Sequence, residues 1–213
     1  MVKNYHPDHT MPARKLMSTP EYILGERNST CPLDNYYLFK QQLSEPEIQA
    51  VHDLVAPEDS EQGTAGGVID PKYRSSNINW ISNVHGKTDW LYERVAGLFQ
   101  SANFNMWNAD IQTIFDSIQY GRYDSEKEGH YGYHLDLGEN VPRRKLSMSI
   151  LLDDPAEYEG GGFFIKRGMT PILVPLKKGD VVVFPSFLLH KVEPVTQGVR
   201  RSLVSWASGP TWR

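Results

Sequence analysis

Residues 177–208 read KKGDVVVFPSFLLHKVEPVTQGVRRSLVSWAS, a succession of short apolar runs separated by Gly, Pro and Asp. The run at 180–184 follows a Gly-Asp turn, and the run at 202–208 follows the turn-prone residues 194–198. Short runs of β-branched, aromatic and other apolar residues, bounded by such punctuation, are typical of β-strands. This stretch therefore predicts consecutive strands.

The same texture extends back to about Asn103 and also occurs earlier in the chain. Strand-like runs occupy residues 36–39, 111–120, 146–152, 162–166, 172–176, 180–184 and 202–208. Seven or eight short strands at this spacing indicate a β-sandwich or a barrel. We therefore expect a mainly β fold with helices packed outside the sheets.

Two flanking helices are expected. Ser44, Pro46 and Glu47 form a capping signature, and apolar residues at helical spacing continue it over residues 45–55. A second apolar stripe predicts a helix over residues 89–102. Both helices have one apolar face, so both are expected to pack on a sheet.

The first part of the chain has a different character. Residues 1–34 are polar and contain Pro7, Pro12, Pro20 and Pro32, so they are expected to form an irregular N-terminal arm. Residues 35–213 are then expected to form a single domain, because 213 residues is a usual length for one domain with an extended terminus.

Composition excludes several classes of protein. Hydrophobic residues make up 39% and charged residues 23% of the chain, as in ordinary globular proteins. A net charge of -4 argues against a nucleic-acid partner. The sequence has neither a long apolar span nor an apolar signal-peptide core, so we expect a soluble, cytoplasmic protein without a membrane partner. With one cysteine, Cys31, any metal must be held by histidine and carboxylate.

Residues 56–76 are too long for an ordinary connection and have no sustained periodicity. They include Gly63, Gly66 and Gly67, which are potential hinges. Long glycine-containing loops commonly act as lids. We therefore expect this segment to be mobile without substrate and to close over a site, with Arg74 or Asn77 contacting substrate.

Three residues form a candidate metal site. On a strand the side chains of His134 and Asp136 would point to the same face. This pair is weak evidence alone, but His190 follows the strand-like run at 180–184 and offers a third ligand. Two histidines and one carboxylate on one face suit Fe(II) and leave positions open for a bidentate cosubstrate and O2.

A candidate anion site follows the last histidine. Arg200 lies ten residues beyond His190, and Ser202 lies two further on, on the same strand face. A guanidinium and a hydroxyl in this arrangement can hold a carboxylate. Arg201 would point to the opposite face, as a solvated charge. A metal and a carboxylate anchor together imply a keto-acid cosubstrate.

These features and their order resemble the Fe(II)/2-oxoglutarate dioxygenases, most closely the prolyl 4-hydroxylase-like group. The resemblance covers about residues 74–208. It is carried by YxxHxD at 131–136, RxLSMSIxL at 144–152, EYxGG at 157–161, GDxVVFPS at 179–186, HxV at 190–192, PVTxGxR at 194–200, and Trp206.

The resemblance implies a double-stranded β-helix, or jelly roll, and a set of residue roles. His134, Asp136 and His190 would be the iron ligands. Arg200, with Ser202, would hold the distal carboxylate of 2-oxoglutarate, which Tyr123 would also contact. The implied cofactors are Fe(II), 2-oxoglutarate as cosubstrate and O2, and ascorbate (vitamin C) is compatible with this set.

The implied activity is hydroxylation of an amino-acid side chain, with release of succinate and CO2. A prolyl residue of a peptide or protein is the first expectation for the substrate, and a free amino acid or another small molecule is the alternative. Two other functions stay open: a catalytically inactive jelly-roll binding module, and a zinc hydrolase. Nucleic-acid demethylases with this core carry a second arginine six residues after the first, where this chain has Trp206.

The roles of three further residues are not decided by the sequence. Tyr131 and Trp206 fit either a pocket wall or the core. His130, four residues before His134, is expected to be a loop or pocket-rim residue, because the flanking glycines argue against a helical zinc motif.

Overall fold

The structure is a computed structural model that describes residues 36–138 and 141–211. The expected N-terminal arm lies outside the described residues. In chain order the elements are β1 (Tyr37–Phe39), α1 (Glu45–Asp53), β2 (Glu61–Gln62), β3 (Arg74–Ser75), β4 (Asn77–Ile81), α2 (Asp89–Met106), β5 (Ile118–Asp124), β6 (His130–His134), β7 (Arg144–Leu151), β8 (Glu159–Gly160), β9 (Phe163–Arg167), β10 (Thr170–Leu173), β11 (Val181–Pro185), β12 (Leu189–Val192), β13 (Val195–Gln197) and β14 (Val199–Ser208).

Two antiparallel sheets and one short strand pair make up the β structure. The major sheet has the order β1-β11-β7-β14-β5-β4-β2, and the minor sheet has the order β10-β9-β12-β6-β3. Strands β13 and β8 pair separately. The expectation of a mainly β, double-stranded β-helix fold with flanking helices is confirmed.

The core has two layers, one on each side of the major sheet. In one layer, the helices place residues such as Val51, Leu91 and Phe99 against the sheet. In the other, β11 and β1 of the major sheet face β9 and β12 of the minor sheet through Phe184, Phe163 and their neighbours. The second layer lies directly beneath the candidate metal residues, because Phe184 and Phe163 both pack on the ring of His190.

Both helices form where expected, with different ends. The first begins with the capping box, in which the Ser44 N–H donates to Glu47 at 2.8 Å, and it ends at Asp53 rather than at residue 55. The second continues to Met106, four residues past the expected end at 102. Phe104 in its last turn is 85% accessible. The helix therefore extends beyond the apolar residues from which it was predicted. Among the described helices, none is both long and apolar enough to cross a membrane.

The predicted strand at 111–120 is wrong in its first part. Only the stretch from Ile118 belongs to a strand, and the preceding residues form a single bridge between Thr113 and Ser208. The described residues also contain fourteen strands rather than seven or eight, since several have only two or three residues. Such short strands carry too few residues to show a period-2 pattern.

Candidate metal and cosubstrate site

The three candidate metal residues meet at the open end of the minor sheet. His134 is the last residue of β6, and it is the register partner of His190 in β12. One ligand atom from each of His134, Asp136 and His190 lies within 4.8 Å of the other two. Among the described residues these are the only His, Cys, Asp or Glu side chains grouped closely enough to hold a metal ion.

Asp136 reaches this cluster by a different route from the one expected. It lies two residues beyond the end of β6, so strand alternation alone does not place it. Its backbone N–H instead donates to the carbonyl oxygen of Ser186 at 3.1 Å, just past β11. The major sheet therefore helps to position the carboxylate, whereas the minor sheet positions both histidines.

Backbone carbonyls select the tautomer of both histidines. Nδ1 of His134 lies 2.9 Å from the oxygen of Gly132, and Nδ1 of His190 lies 2.9 Å from the oxygen of Leu188. A carbonyl oxygen only accepts, so each Nδ1 carries the proton and donates it. The Nε2 lone pairs are left free, and these atoms lie 3.7 and 3.3 Å from the carboxylate of Asp136.

Burial sets the charge of the cluster. It lowers the pKa of His134 to about 3, with a further contribution from the adjacent His190. Burial alone would raise the pKa of Asp136, but the two imidazoles and a hydrogen bond from Ser147 hold the pKa of this carboxyl well below its usual range. At neutral pH His134 is therefore neutral and Asp136 is anionic.

One atom tests whether this donor set fits a cation. Oδ2 of Asp136 is buried and has no hydrogen-bond partner. An unpaired buried carboxylate oxygen is costly, and a metal ion is one of its usual partners. Neutral imidazole nitrogens with a carboxylate are the ligands of the Fe(II) facial triad, so the residues fit the iron that the resemblance implies.

Arg200, in β14, is a buried cation. Its side chain is 1% accessible, and no carboxylate of the described residues lies within ion-pair distance of it. Nη1 donates to the hydroxyl of Ser202 at 3.3 Å, and the guanidinium carbon lies 5.5 Å from the ring centroid of Tyr123. Burying a guanidinium without an anion is unfavourable, so this position is built for an anionic ligand.

A cavity of about 630 Å³ lies beside the candidate metal residues; Arg200 is not among its lining residues, but its neighbours Tyr123 and Ser202 are. Its wall includes all three candidate metal residues together with Tyr123 and Ser202. Tyr131 and Trp206, whose roles the sequence left open, also line this cavity. The ring of Tyr131 stacks on His134 with 3.5 Å between centroids, and Nε1 of Trp206 is buried without a partner.

Two residues differ from their expected surroundings. Arg201 does point away from Arg200, but it is not a solvated charge: Nη1 donates to the carboxylate of Asp153 at 2.8 Å. His130 is not in a loop but begins β6, and its ring nitrogens lie near the backbone oxygens of Glu128 and Lys72. His130 is not among the residues that line the cavity.

The glycine turn before β9 has a role that the sequence did not reveal. Gly161 lies in the turn between β8 and β9 with a φ of +63°, a conformation that favours glycine. A Cβ built on Gly161 would also lie 2.9 Å from Cδ of Arg200, so this glycine makes room for the arginine stem. The motif EYxGG contains this glycine, but only the packing shows that it contacts Arg200.

Comparison with known proteins agrees with this geometry. The 2OG-Fe(II) oxygenase superfamily matches residues 118–208, which include the three candidate metal residues and the cosubstrate candidates Tyr123, Arg200 and Ser202. A PKHD-type hydroxylase from Sphingopyxis alaskensis is 40% identical over 170 residues, which is 75% of this chain and 72% of that protein. The chain belongs to the 2OG-Fe(II) oxygenase superfamily. The resemblance to its prolyl 4-hydroxylase-like group is therefore confirmed, and the expected class, 2-oxoglutarate-dependent Fe(II) dioxygenase, is that of the superfamily.

Solved structures of this superfamily share the fold. A Pseudomonas putida prolyl-4-hydroxylase superposes with a TM-score of 0.66 at 19% identity, covering 82% of this chain and 92% of that one. A Trichoplax adhaerens prolyl hydroxylase, in complex with a hypoxia inducible factor peptide, gives 0.69 at 18% identity, covering 82% of this chain and 84% of that one. Matches to several other PKHD-type hydroxylases span only 38–41% of their length. Activity and substrate therefore remain to be argued from the site.

Proposed function

We propose that the protein is an Fe(II)- and 2-oxoglutarate-dependent hydroxylase, with His134, Asp136 and His190 as the iron ligands. The free Nε2 atoms and the orphaned carboxylate oxygen support this assignment. Bound iron would activate O2 and couple the decarboxylation of 2-oxoglutarate, to succinate and CO2, with oxygenation of a substrate carbon.

The observation that carries the proposal is the buried guanidinium of Arg200, which has no carboxylate partner among the described residues and whose neighbours Tyr123 and Ser202 line the same cavity as the three ligands. A zinc hydrolase needs a general base near the metal-bound water and has no use for such a cation. An inactive binding module would need neither the ligand set nor the arginine. In our proposal Arg200 pairs with the distal carboxylate of 2-oxoglutarate, Ser202 orients the guanidinium, and Tyr123 contacts the cosubstrate.

The chain then supplies orientation and exclusion of water. The two backbone carbonyls hold the imidazoles in one tautomer, and Ser186 holds the Asp136 backbone. Apolar walls that include Phe163, Phe184 and Val192 surround the reaction site. A low-dielectric wall strengthens each charged contact and limits side reactions with solvent.

For the substrate we propose an amino-acid side chain, first of all a prolyl residue in a peptide or protein. The Trichoplax neighbour binds a peptide, and a cavity of about 630 Å³ has the size of a small-ligand pocket. A free amino acid would fit the same volume and is the second candidate.

One experiment tests function and substrate together. Proline-containing peptides and free amino acids are incubated with the protein, Fe(II), 2-oxoglutarate and O2, with and without ascorbate. Mass spectrometry then detects the gain of one oxygen, and succinate release is followed in parallel. We expect both signals to depend on Fe(II). Turnover of a hydrolysable substrate with zinc alone, without succinate, would favour the hydrolase.

Gly161→Ala is expected to raise the KM for 2-oxoglutarate several-fold. This corresponds to a loss of roughly 1 kcal/mol or more of binding free energy, because the arginine is displaced. The new Cβ would strain the backbone and press on the stem of Arg200. Gly168→Ala is the matched control, because Gly168 has a similar φ of +75° but nothing within 4 Å of its Cβ position. Equal effects of both substitutions on KM would show that only backbone strain matters.

The segment 56–76 is expected to become protected when the site is filled. Thr64, Gly66 and Gly67 line the cavity, so ligands there can contact the segment. Limited proteolysis between Ser60 and Ser75 should slow when 2-oxoglutarate, an inert divalent metal and an oxygenated compound from the screen are present. Cleavage near Met169, which is 91% accessible and remote from the cavity lining, serves as the control. Unchanged cleavage at 60–75 would mean that the segment is a spacer and not a lid.

A further inference from the structure

A second buried arginine, Arg74, lies on the edge strand of the minor sheet, far in sequence from the cosubstrate residues. Arg74 begins β3, is 5% accessible and lines the cavity. Nε donates to the hydroxyl of Ser76 at 2.9 Å, and Nη1 donates to the carbonyl oxygen of Thr64 at 2.7 Å. Both partners are neutral, so neither balances the charge.

The remaining nitrogen of this guanidinium has no partner. Nη2 of Arg74 is buried without a hydrogen bond, and no carboxylate of the described residues lies within ion-pair distance. The nearby carboxylates of Glu61 and Asp70 accept hydrogen bonds from Trp80 and Lys72 instead. A buried cation that lines a cavity and has an unpaired donor favours an anion there.

The position of Arg74 relates this anion to the proposed iron site. Its guanidinium carbon lies 4.4 Å from the ring centroid of Tyr131, and that ring stacks on His134 at 3.5 Å. Arg74 is thus separated from a proposed iron ligand by one aromatic ring. An anion bound by Nη2 would therefore lie in the same cavity as the proposed iron ligands.

The other cavity arginine is not equivalent. Nε of Arg144 donates to the carboxylate of Asp116 at 3.0 Å, so its charge is already paired. Its guanidinium also stacks on Trp206, 3.7 Å from the ring centroid. Of the two, only Arg74 has a buried nitrogen without a hydrogen-bond partner, whereas the charge of Arg144 is balanced by Asp116.

We propose that Arg74 binds a carboxylate of the organic substrate, which is therefore an anionic molecule: a free amino acid, or a peptide with an acidic residue next to the oxidised one. This inference rests on the proposed function and names the class of its substrate. The proposal requires that the substrate carry a negative charge, so the corresponding neutral amides should bind weakly.

The test compares carboxylates with their matched amides. Protein with Fe(II) and saturating 2-oxoglutarate is kept under nitrogen, so that Arg200 is occupied and no turnover occurs. The probes are the free proteinogenic amino acids with their amides, and end-blocked proline peptides containing glutamate with their glutamine analogues. Binding is followed by tryptophan fluorescence, because Trp80 and Trp206 line the cavity.

We expect at least one carboxylate probe to bind more tightly than its amide by about tenfold or more. The preference should disappear in Arg74→Gln and persist partly in Arg74→Lys, which keeps the charge but not the planar fork. Arg122→Gln is the control, because Arg122 is 45% accessible in its side chain and pairs with Asp124. The free amino acids and the acidic peptides form separate arms, which identify the source of the carboxylate.

Two results would overturn the inference: no carboxylate preference in the wild-type protein, or an undiminished preference in Arg74→Gln. The wild-type comparison stands even if Arg74→Gln does not fold. The proposed function fails separately, through the absence of succinate formation in air. A carboxylate preference that depends on Arg74 without any succinate would support this inference while contradicting the hydroxylase.

Discussion

Replacing His134 with alanine is expected to abolish turnover, with a loss of more than about 100-fold, since weaker outer contacts at metal sites already cost 10- to 100-fold. The substitution removes one of three donor atoms that lie within 4.8 Å of one another. It also leaves the buried carboxylate of Asp136 with one imidazole fewer. Iron content by elemental analysis and succinate release together measure the effect.

His85→Ala is the matched control for this prediction. The side chain of His85 is fully exposed in the turn before α2 and pairs with Asp89, the first residue of that helix, so its removal should change neither iron content nor rate. His190→Ala should reproduce the His134 result, because both rings have the same tautomer and face the same carboxylate. Wild-type iron binding and activity in either ligand variant would contradict the metal assignment.

Arg200→Ala is expected to keep iron but raise the KM for 2-oxoglutarate by about 10- to 100-fold, the equivalent of roughly 1.5 to 3 kcal/mol for a lost charge-assisted pair. The three proposed ligands are untouched by this change. Steady-state rates at varied 2-oxoglutarate, with iron content measured in parallel, distinguish a loss of 2-oxoglutarate binding from a loss of iron. Arg200→Lys should restore part of the affinity, because it keeps the charge.

The neighbouring arginine supplies the control. Arg201 pairs with the buried carboxylate of Asp153, which is 7% accessible in its side chain. Arg201→Ala should lower thermal stability, since it leaves a buried carboxylate without its cation. It should not change the KM for 2-oxoglutarate. A raised KM in Arg201→Ala with a normal one in Arg200→Ala would mean that the anchor had been assigned to the wrong residue.

Several strands, the start of a helix and the grouping of the site residues could be predicted from the sequence, because each depends on residues that are close in sequence. Apolar runs bounded by turn residues predicted strands such as β11 and β14, and the capping box predicted the start of α1. The ordered motifs around His134 and His190 predicted a shared site, and the structure brings these residues together. Whether they bind iron stays a prediction until the substitutions are made.

Strand prediction from the sequence was wrong where the pairing of a segment with other strands, rather than its own residue preferences, determines whether it forms a strand. Residues 111–117 have the composition of a strand, yet only a single bridge at Thr113 joins them to a sheet. Conversely, β6 has the sequence HYGYH, and every one of its residues is half-buried. No alternation of apolar and polar residues therefore predicted this strand. It is a strand because β12 and β3 flank it on both sides.

The sequence by itself determined the residue types of the site and their order: two imidazoles, one carboxylate and an arginine two residues before a serine. Only the tertiary structure decided which atoms remain unpaired. Oδ2 of Asp136 and Nη2 of Arg74 are buried without partners. Arg144 and Arg201, in contrast, form ion pairs with carboxylates. The physical reason is that the pairing of a buried charge depends on residues distant in sequence, and only the assembled sheets bring these within a hydrogen-bond length.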